Sequence, residues 1–554
     1  MNEVLNNLIK LFSLISIKRK YQLFLVFIFT VSCSFLEALS LSSIIPLLNL
    51  FSNPNGITSN EFKLFELLNY LGINNFNIFA KIFIFLILAS TLSRIFLIWI
   101  SNYISQSIFM DLSIKVYENT LHYSYLKFKK LDTSEVISNI LIKSSTVQSS
   151  ISSIVNIFIS LIMISIISST ILFVELELTL YLATFLTVFY FTLSFYTSKL
   201  LKENGKILAR HSPLQHQIIS SSIYSYKQSK INKFQKKYVG LFFNSLNIVR
   251  KIFVQNIFLS QSPRYILEGL IILLITFYLL MIYDNQNSAF TKISLIAFIV
   301  ASGQRLLPIM NALYSNYLSL NSNHHSLNDV LDSIKINVDN NNNKKILPFN
   351  EKIEISNISF KYPNEEKYIL KNFSVTINKG EKIAIIGESG CGKTTFTDLL
   401  MGLVNPNNGT IKSDGINIKD NIDGWQKNIN CISQNPYLIN DTVERNIKLF
   451  NHVSKKDFDK IVSIFQLQDI INLKSVGDNG SLISGGQKQR VSLARAFALN
   501  KNLLILDEST NAIDLSAEKK IIKKLFSFYK NTTILIIAHR KETINLCERV
   551  IKIK

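Results

Sequence analysis

Six apolar runs before about residue 320 constrain this chain more than any other feature: about Tyr21 to Phe51, Phe76 to Tyr103, Ile151 to Val174, Leu178 to Thr197, Tyr265 to Tyr283 and Ile293 to Tyr314. Each supplies the roughly 20 apolar residues that an α-helix needs to cross about 30 Å of hydrocarbon. A chain carrying them must satisfy its backbone hydrogen bonds internally, so the first part reads as all-α and membrane-spanning. With 554 residues there is room for a second, soluble domain, and the apolar residues thin out where it would begin.

Charge fixes the orientation. Lys18, Arg19 and Lys20 precede the first run, whereas Glu175 and Glu177 occupy the short turn between the third and fourth. Cytoplasmic flanks carry the excess of Lys and Arg, so both termini are expected in the cytoplasm. Between Lys199 and Lys251 lie eleven Lys or Arg and one acid, Glu203. The net charge of +21 therefore follows membrane topology, and no nucleic-acid partner is expected.

Residues 104–145 and 198–262 are too long for simple turns and keep an apolar periodicity, which predicts helices that run on past the bilayer. Their tips, Leu126 to Ser134 and Ser222 to Lys230, are expected to be short coupling helices. Leu5, Leu8, Ile9, Phe12 and Ile15 share one face of an interfacial helix, and no cleavable signal peptide is expected. Phe62, Phe65, Leu68 and Leu71 suggest a short external helix. Cys33, Cys391, Cys431 and Cys547 have neither metal-ligand nor disulfide spacing. These readings divide the chain into a membrane domain over 1–320, an Asn-rich linker over 321–350 and an α/β domain over 351–554.

In the α/β domain the apolar strand Lys382 to Ile386 leads into Gly387, Glu388, Ser389, Gly390, Cys391, Gly392, Lys393 and Thr394, followed by a helix from about Thr395 to Leu403. This is a phosphate-binding loop in its strand-loop-helix setting. Glycines let backbone N–H groups close around phosphates at a helix N-terminus, Lys393 adds a point charge, and the Thr394 hydroxyl suits Mg²⁺. Downstream, Leu503 to Leu506 is a buried strand ending in Asp507, a Mg²⁺ ligand, and Glu508, an acceptor for a proton from attacking water. A solvated strand end is the bland reading of those two acids, and the phosphate loop argues against it.

Ser484, Gly485, Gly486 and Gln487 stand where Ser484 caps a helix through Ala498 and free N–H groups face an anion. With these motifs in order the chain resembles the ATP-binding-cassette family. That resemblance implies that the signature reaches the γ-phosphate held by a partner's loop, so that two cassettes sandwich two ATP molecules in a dimer. It also implies that Tyr362 stacks on adenine, Thr395 lies in the ATP site, Gln434 senses Mg²⁺ and the membrane domain, Asp514 belongs to the dimer-contact loop, and His539 is the switch histidine. Glu508, His539 and Gln434 are thus the expected catalytic set, with ATP and Mg²⁺ bound. Ile483 and Asn511 depart from the family's usual Leu and Ser.

Three arginines in or beside the apolar runs, Arg94, Arg264 and Arg305, lie about 20–30 Å from the external helix ends at about 1.5 Å per residue. Charges at that depth are expensive and usually functional, although long side chains also snorkel to the interface as anchors. Glu37 to Ser40 through Pro46, Pro263 to Gly269 and Arg305 to Pro308 are similar to bacterial flippases of lipid-linked oligosaccharides, the PglK type. The resemblance implies a homodimer in the bacterial inner membrane that moves an anionic polyprenyl-pyrophosphate glycan to the outer leaflet, the arginines binding its pyrophosphate. Export of drugs, peptides or lipid A is the rival expectation; channel gating or regulation is a more distant one.

Overall fold

The computed structural model describes residues 9–52, 76–131, 136–137, 140, 144–174, 176–282, 289–334, 345–363, 365–388 and 390–553. The expected external helix at 60–71, Leu5, Leu8, Ser389, Glu175 and the run Asn340 to Asn343 lie outside the described residues. The chain divides into two compact units, one of residues 1–123 and 130–338, the other of 124–129 and 339–554.

The first unit is built of long helices: α1 (Ile17–Ser42), α2 (Ile44–Ser52), α3 (Phe76–Leu121), α5 (Ser144–Val174), α6 (Leu176–Tyr224), α8 (Gln235–Ile282) and α9 (Ala289–Ile334). The short helices α4 (Tyr125–Lys130) and α7 (Tyr226–Ile231) sit at the two expected tips. At 46, 49 and 48 residues, α3, α6 and α8 are about 70 Å long at about 1.5 Å per residue. That is more than twice the hydrocarbon thickness. Among the described residues three stretches, Ile17–Leu48, Phe76–Leu121 and Ser145–Phe173, are long and apolar enough to cross.

One boundary differs from the sequence reading. Helix α9 runs to Ile334, into the stretch expected to be linker from 321, because Leu327, Val330 and Leu331 are buried in the helical core at helical spacing. Near the N-terminus Leu11 and Ile15 pack into the same core while Ile9 and Phe12 stay exposed.

The second unit holds two sheets. Strands β1 (Lys352–Phe360), β2 (Leu370–Asn378), β4 (Asn408–Ser413) and β5 (Ile416–Asn417) form an antiparallel sheet in the order β2-β1-β4-β5. A parallel sheet runs in the order β6-β7-β8-β3-β9, with β3 (Lys382–Ile386), β6 (Ile429–Ile432), β7 (Leu503–Asp507), β8 (Thr533–Ile537) and β9 (Arg549–Lys552). Its central strands β7, β8 and β3 are largely apolar runs, as burial on both faces requires; β8 is buried at all five positions, whereas the edge strand β9 is mostly exposed. Tyr125 and Leu126, from the segment that joins this unit, pack against its core beside Tyr362.

Candidate functional site: a nucleotide site at the ends of four strands

Because β6, β7, β8 and β3 are adjacent and parallel, their carboxyl ends deliver four segments to one edge. These are Gln434 after β6, Asp507 and Glu508 at the end of β7, His539 after β8, and the loop 387–392 after β3. Ligands of open α/β sheets bind at that edge.

The loop leads into α10 (Lys393–Leu400), two residues earlier than expected. Gly392, its N-cap, has φ +100°. A Cβ there would lie 2.6 Å from the Ile369 side chain, so geometry and space both demand glycine. Lys393 is buried, and its Nζ donates to the carbonyl oxygens of Gly387 and Glu388, each at 2.9 Å, which holds the charge inside the loop. Thr394 is exposed at the mouth, and Thr395 is buried with its hydroxyl 3.4 Å from that of Tyr362. The Tyr362 ring also meets Phe360 edge-on at 5.2 Å and lies 5.5 Å from Lys129 Nζ.

Glu508 adopts φ +49°, a left-handed conformation that a non-glycine residue holds only when its surroundings enforce it. The enforcing partners are visible. Oε1 lies 2.8 Å from His539 Nε2; Oε2 accepts from Gln434 Nε2 at 2.8 Å and from Asn511 Nδ2 at 3.1 Å. Two residues distant in sequence, Gln434 and His539, and one three positions on, Asn511, thus converge on one carboxylate. Asp507 beside it is largely buried, and burial, then the Glu508 charge, push its carboxyl pKa up, against the opposing pull of Lys393. Among the described residues no group of three or more His, Cys, Asp or Glu could hold a metal ion. Mg²⁺ bound with a nucleotide needs no such cage, since it takes few protein oxygens and completes its shell with phosphates and water. The Thr394 hydroxyl, the Asp507 carboxylate and the Gln434 amide are hard oxygen donors of that kind, and a cation would relieve the buried charge on Asp507.

The signature residues open α11 (Gly485–Ala498). Ser484 accepts from the Gln487 N–H at 3.2 Å while the Gln487 side chain accepts from the Ser484 N–H at 2.9 Å, a reciprocal capping box. Gln487 also donates to Asp469 at 2.9 Å, so its side chain is committed to the local structure. Asp514 similarly caps α12 (Leu515–Phe528), its carboxylate accepting from the N–H of Ala517 at 2.9 Å and the hydroxyl of Ser516 at 2.7 Å. Those bonds, the hydroxyl first, hold its carboxyl below the usual range.

Sequence reading missed a second layer. Glu518, buried on α12, accepts from Thr510 and Thr543 at 2.7 Å each and pairs with Arg540. Arg540 in turn donates to the carbonyls of Asn511 at 2.8 Å and Ile513 at 2.9 Å. The residue after His539 is thereby tied to the segment that carries Asn511. Gln489 of α11 accepts from the Ala512 N–H at 2.8 Å and joins the signature helix to the same segment.

The family profile for ABC transporters matches residues 370–511, which span the phosphate loop, the signature and the Asp507–Glu508 strand end. Residues 370–511 are an ABC transporter domain. As in other ABC transporter domains, this is an ATP-binding ATPase unit. Similar curated proteins include an ATP-dependent lipid A-core flippase of Wigglesworthia glossinidia brevipalpis, 37% identical over 211 residues, 36% of each chain. Another is a Staphylococcus aureus protein named for multidrug export, 38% identical over 213 residues, 37% of this chain and 36% of that one. The match thus spans about a third of the length of these relatives. A solved bacterial Atm1-family ABC exporter with ATP bound has the same fold, with a TM-score of 0.77 at 18% identity, over 97% of this chain and 93% of that one. The chain therefore has the ABC exporter fold: a helical membrane unit followed by an α/β nucleotide-binding unit.

The three arginines lie on α3, α8 and α9. Arg264 Nε donates to Glu268 at 2.7 Å, which neutralises it within its own helix. Arg94 Nη1 is 3.5 Å from Glu37. Arg305 is half-buried.

Proposed function

We propose that the chain is one half of an ATP-driven exporter that works as a homodimer in a bacterial cytoplasmic membrane, with six spans and both termini cytoplasmic. Its cargo, on this reading, is a polyprenyl-pyrophosphate-linked oligosaccharide moved from the inner to the outer leaflet. The observation that carries the motor is the convergence of Gln434, Asn511 and His539 on Glu508.

In the hydrolytic step Glu508 takes the proton of the water that attacks the γ-phosphate, and His539 and Gln434 hold that carboxylate in place. Lys393 and the loop N–H groups cradle the phosphates, and Tyr362 supplies the adenine platform. Bound Mg²⁺, held by Thr394, Asp507 and Gln434, supplies charge neutralisation on the phosphates. Residues 484–487 are taken to complete the site of the partner chain, since Ser484 and Gln487 leave the N-terminus of α11 open to an anion.

Arg94 and Arg305 support the anionic cargo. They come from separate helices, and Arg94 has the Glu37 carboxylate at 3.5 Å while Arg305 is half-buried. Arg264, neutralised by Glu268, drops from the expected trio. A second reading, export of lipid A or of drugs, draws on what the similar curated proteins are named for.

The test is a leaflet-accessibility assay in reconstituted vesicles, comparing a pyrophosphate-linked glycolipid with a glycolipid on an uncharged polyprenol. The parent should flip the first with ATP. Arg94→Gln/Arg305→Gln should lose most of that flipping, per correctly inserted protein, while ATPase without cargo persists. Equal flipping by parent and double variant would return both arginines to interface anchors and favour the second reading.

A further inference from the structure

Glu37 lies in an apolar helix, is only 1% exposed, and is nevertheless poorly satisfied. Its Oε1 is 3.5 Å from Arg94 Nη1, beyond the roughly 2.7–2.9 Å of a strong charge-assisted hydrogen bond. Its Oε2 is buried with no hydrogen-bond partner. A carboxylate kept only to brace a helix pair would be expected to satisfy both oxygens, because an unpaired buried acceptor is destabilising and a buried charge more so. The neighbourhood is polar on two helices. Cys33, one turn before Glu37 on α1, accepts from Ser93 at 3.4 Å, and Ser93 adjoins Arg94 on α3.

We propose that Glu37 is the resident counter-ion of the cargo site: it holds Arg94 between transport cycles and yields it to a phosphate-bearing head group. The inference rests on the anionic-cargo reading and adds a competing group to it. The long, one-sided contact is what a replaceable partner requires: a bidentate pair would withhold Arg94 from an incoming pyrophosphate, and no partner at all would leave the buried Glu37 carboxylate without a counter-charge. Competition has a sign. Removing the negative charge at constant shape frees Arg94 for the anion, so binding tightens. It also removes the group that reclaims it, so release and turnover slow.

The probe is undecaprenyl pyrophosphate, with undecaprenol as the uncharged control, titrated against full-length transporter in nanodiscs; flipping of the pyrophosphate-linked glycolipid is read in vesicles. Glu37→Gln is expected to bind the pyrophosphate at least about tenfold tighter than the parent, with unchanged affinity for undecaprenol and several-fold slower flipping. If the parent itself fails to prefer the pyrophosphate over undecaprenol, the cargo reading falls and this inference with it. If the parent prefers it and Glu37→Gln binds with parental or weaker affinity, Glu37 is a structural brace, and the cargo reading stands without it. Should Glu37→Gln not insert, Glu37→Asp serves: it keeps the charge but withdraws it by one methylene, so affinity above the parent's supports the counter-ion and affinity at or below it overturns the role.

Discussion

Glu508 and His539 stand 31 positions apart in sequence and 2.8 Å apart in space, carboxylate Oε1 to imidazole Nε2. That relationship follows from sheet order. Strands β7 and β8 are parallel neighbours in register from Leu503 with Thr533 to Asp507 with Ile537, so the residues just past their ends emerge side by side. The left-handed φ of Glu508 turns its side chain into a cluster in which Gln434 and Asn511 occupy the other oxygen. The carboxylate is pinned from three sides before any water is activated.

Replacing Glu508 by Gln removes the proton acceptor while leaving the Gly387–Lys393 cradle intact. Turnover should fall by at least about 100-fold, the lower range for general-base catalysis, with ATP still bound. Steady-state ATPase beside equilibrium nucleotide binding measures both; turnover near the parent's would remove Glu508 as the base.

Arg540 acts on the site through others. It pairs with buried Glu518 and donates to the Asn511 carbonyl, so it sets the segment whose side chain touches Glu508. Arg540→Gln should lower kcat for ATP about tenfold and leave KM within about twofold, because no atom of Arg540 belongs to the phosphate cradle. Both Arg540→Gln, which leaves the buried Glu518 carboxylate without its counter-charge, and Glu518→Ala should destabilise the fold, since breaking a buried ion pair from one side is destabilising by about 3–5 kcal/mol, so kcat is compared per folded protein. A matching fall in kcat/KM caused by a higher KM would place Arg540 in nucleotide binding.

Asp398, 3% exposed on α10, has a buried Oδ2 with no hydrogen-bond partner, and its carboxyl pKa is pushed up to about 6, first by burial and then by Asp507, against the pull of Lys129. A carboxyl with a raised folded pKa favours the fold when protonated. Its contribution is neutral below about pH 4 and becomes destabilising as pH rises through 6, reaching about 2–3 kcal/mol at about 1.4 kcal/mol per pKa unit. Asp398→Asn should therefore raise the unfolding temperature of the nucleotide-binding unit at pH 7 and lose that gain near pH 4. Scanning calorimetry of the full chain at the two pH values decides it; a gain equal at both would assign the effect to packing.

Much of this was legible in the sequence because motifs report local structure. A strand, a glycine loop and a helix in succession locate Lys393 and Thr394 without knowledge of the rest, and Ser484 with Gln487 spells a capping box in four letters. Pairings between segments were not legible. Glu518 and Arg540 are 22 residues apart with no periodic relation, and Asn511 reads as a harmless departure until its amide is found on Glu508. Glu37 lies in a run whose hydropathy conceals one acid, and its partner Arg94 comes from another helix, 57 positions on. Asp514 was expected at the dimer contact; its oxygens are engaged in capping α12, which any contact would have to share.

The proposed partner-completed sites give a last, sharper expectation. Lys393→Ala disables the phosphate loop of its own chain, and Ser484→Arg fills the helix N-terminus that would face the partner's nucleotide with a cation-bearing side chain. Each homodimer should be nearly inactive, since it carries the same lesion in both composite sites. In a mixed dimer the two lesions fall together in one site when the loop of one chain meets the signature of the other, leaving the second site intact. Verified heterodimers should then recover a substantial part of parental ATPase. If each chain instead used its own signature, the mixed dimer would hold one lesion per site and stay silent. Silence has a second cause, obligatory coupling of the two sites, and nucleotide trapping separates them: an intact but stalled site still occludes one ATP per dimer, whereas two damaged sites occlude none.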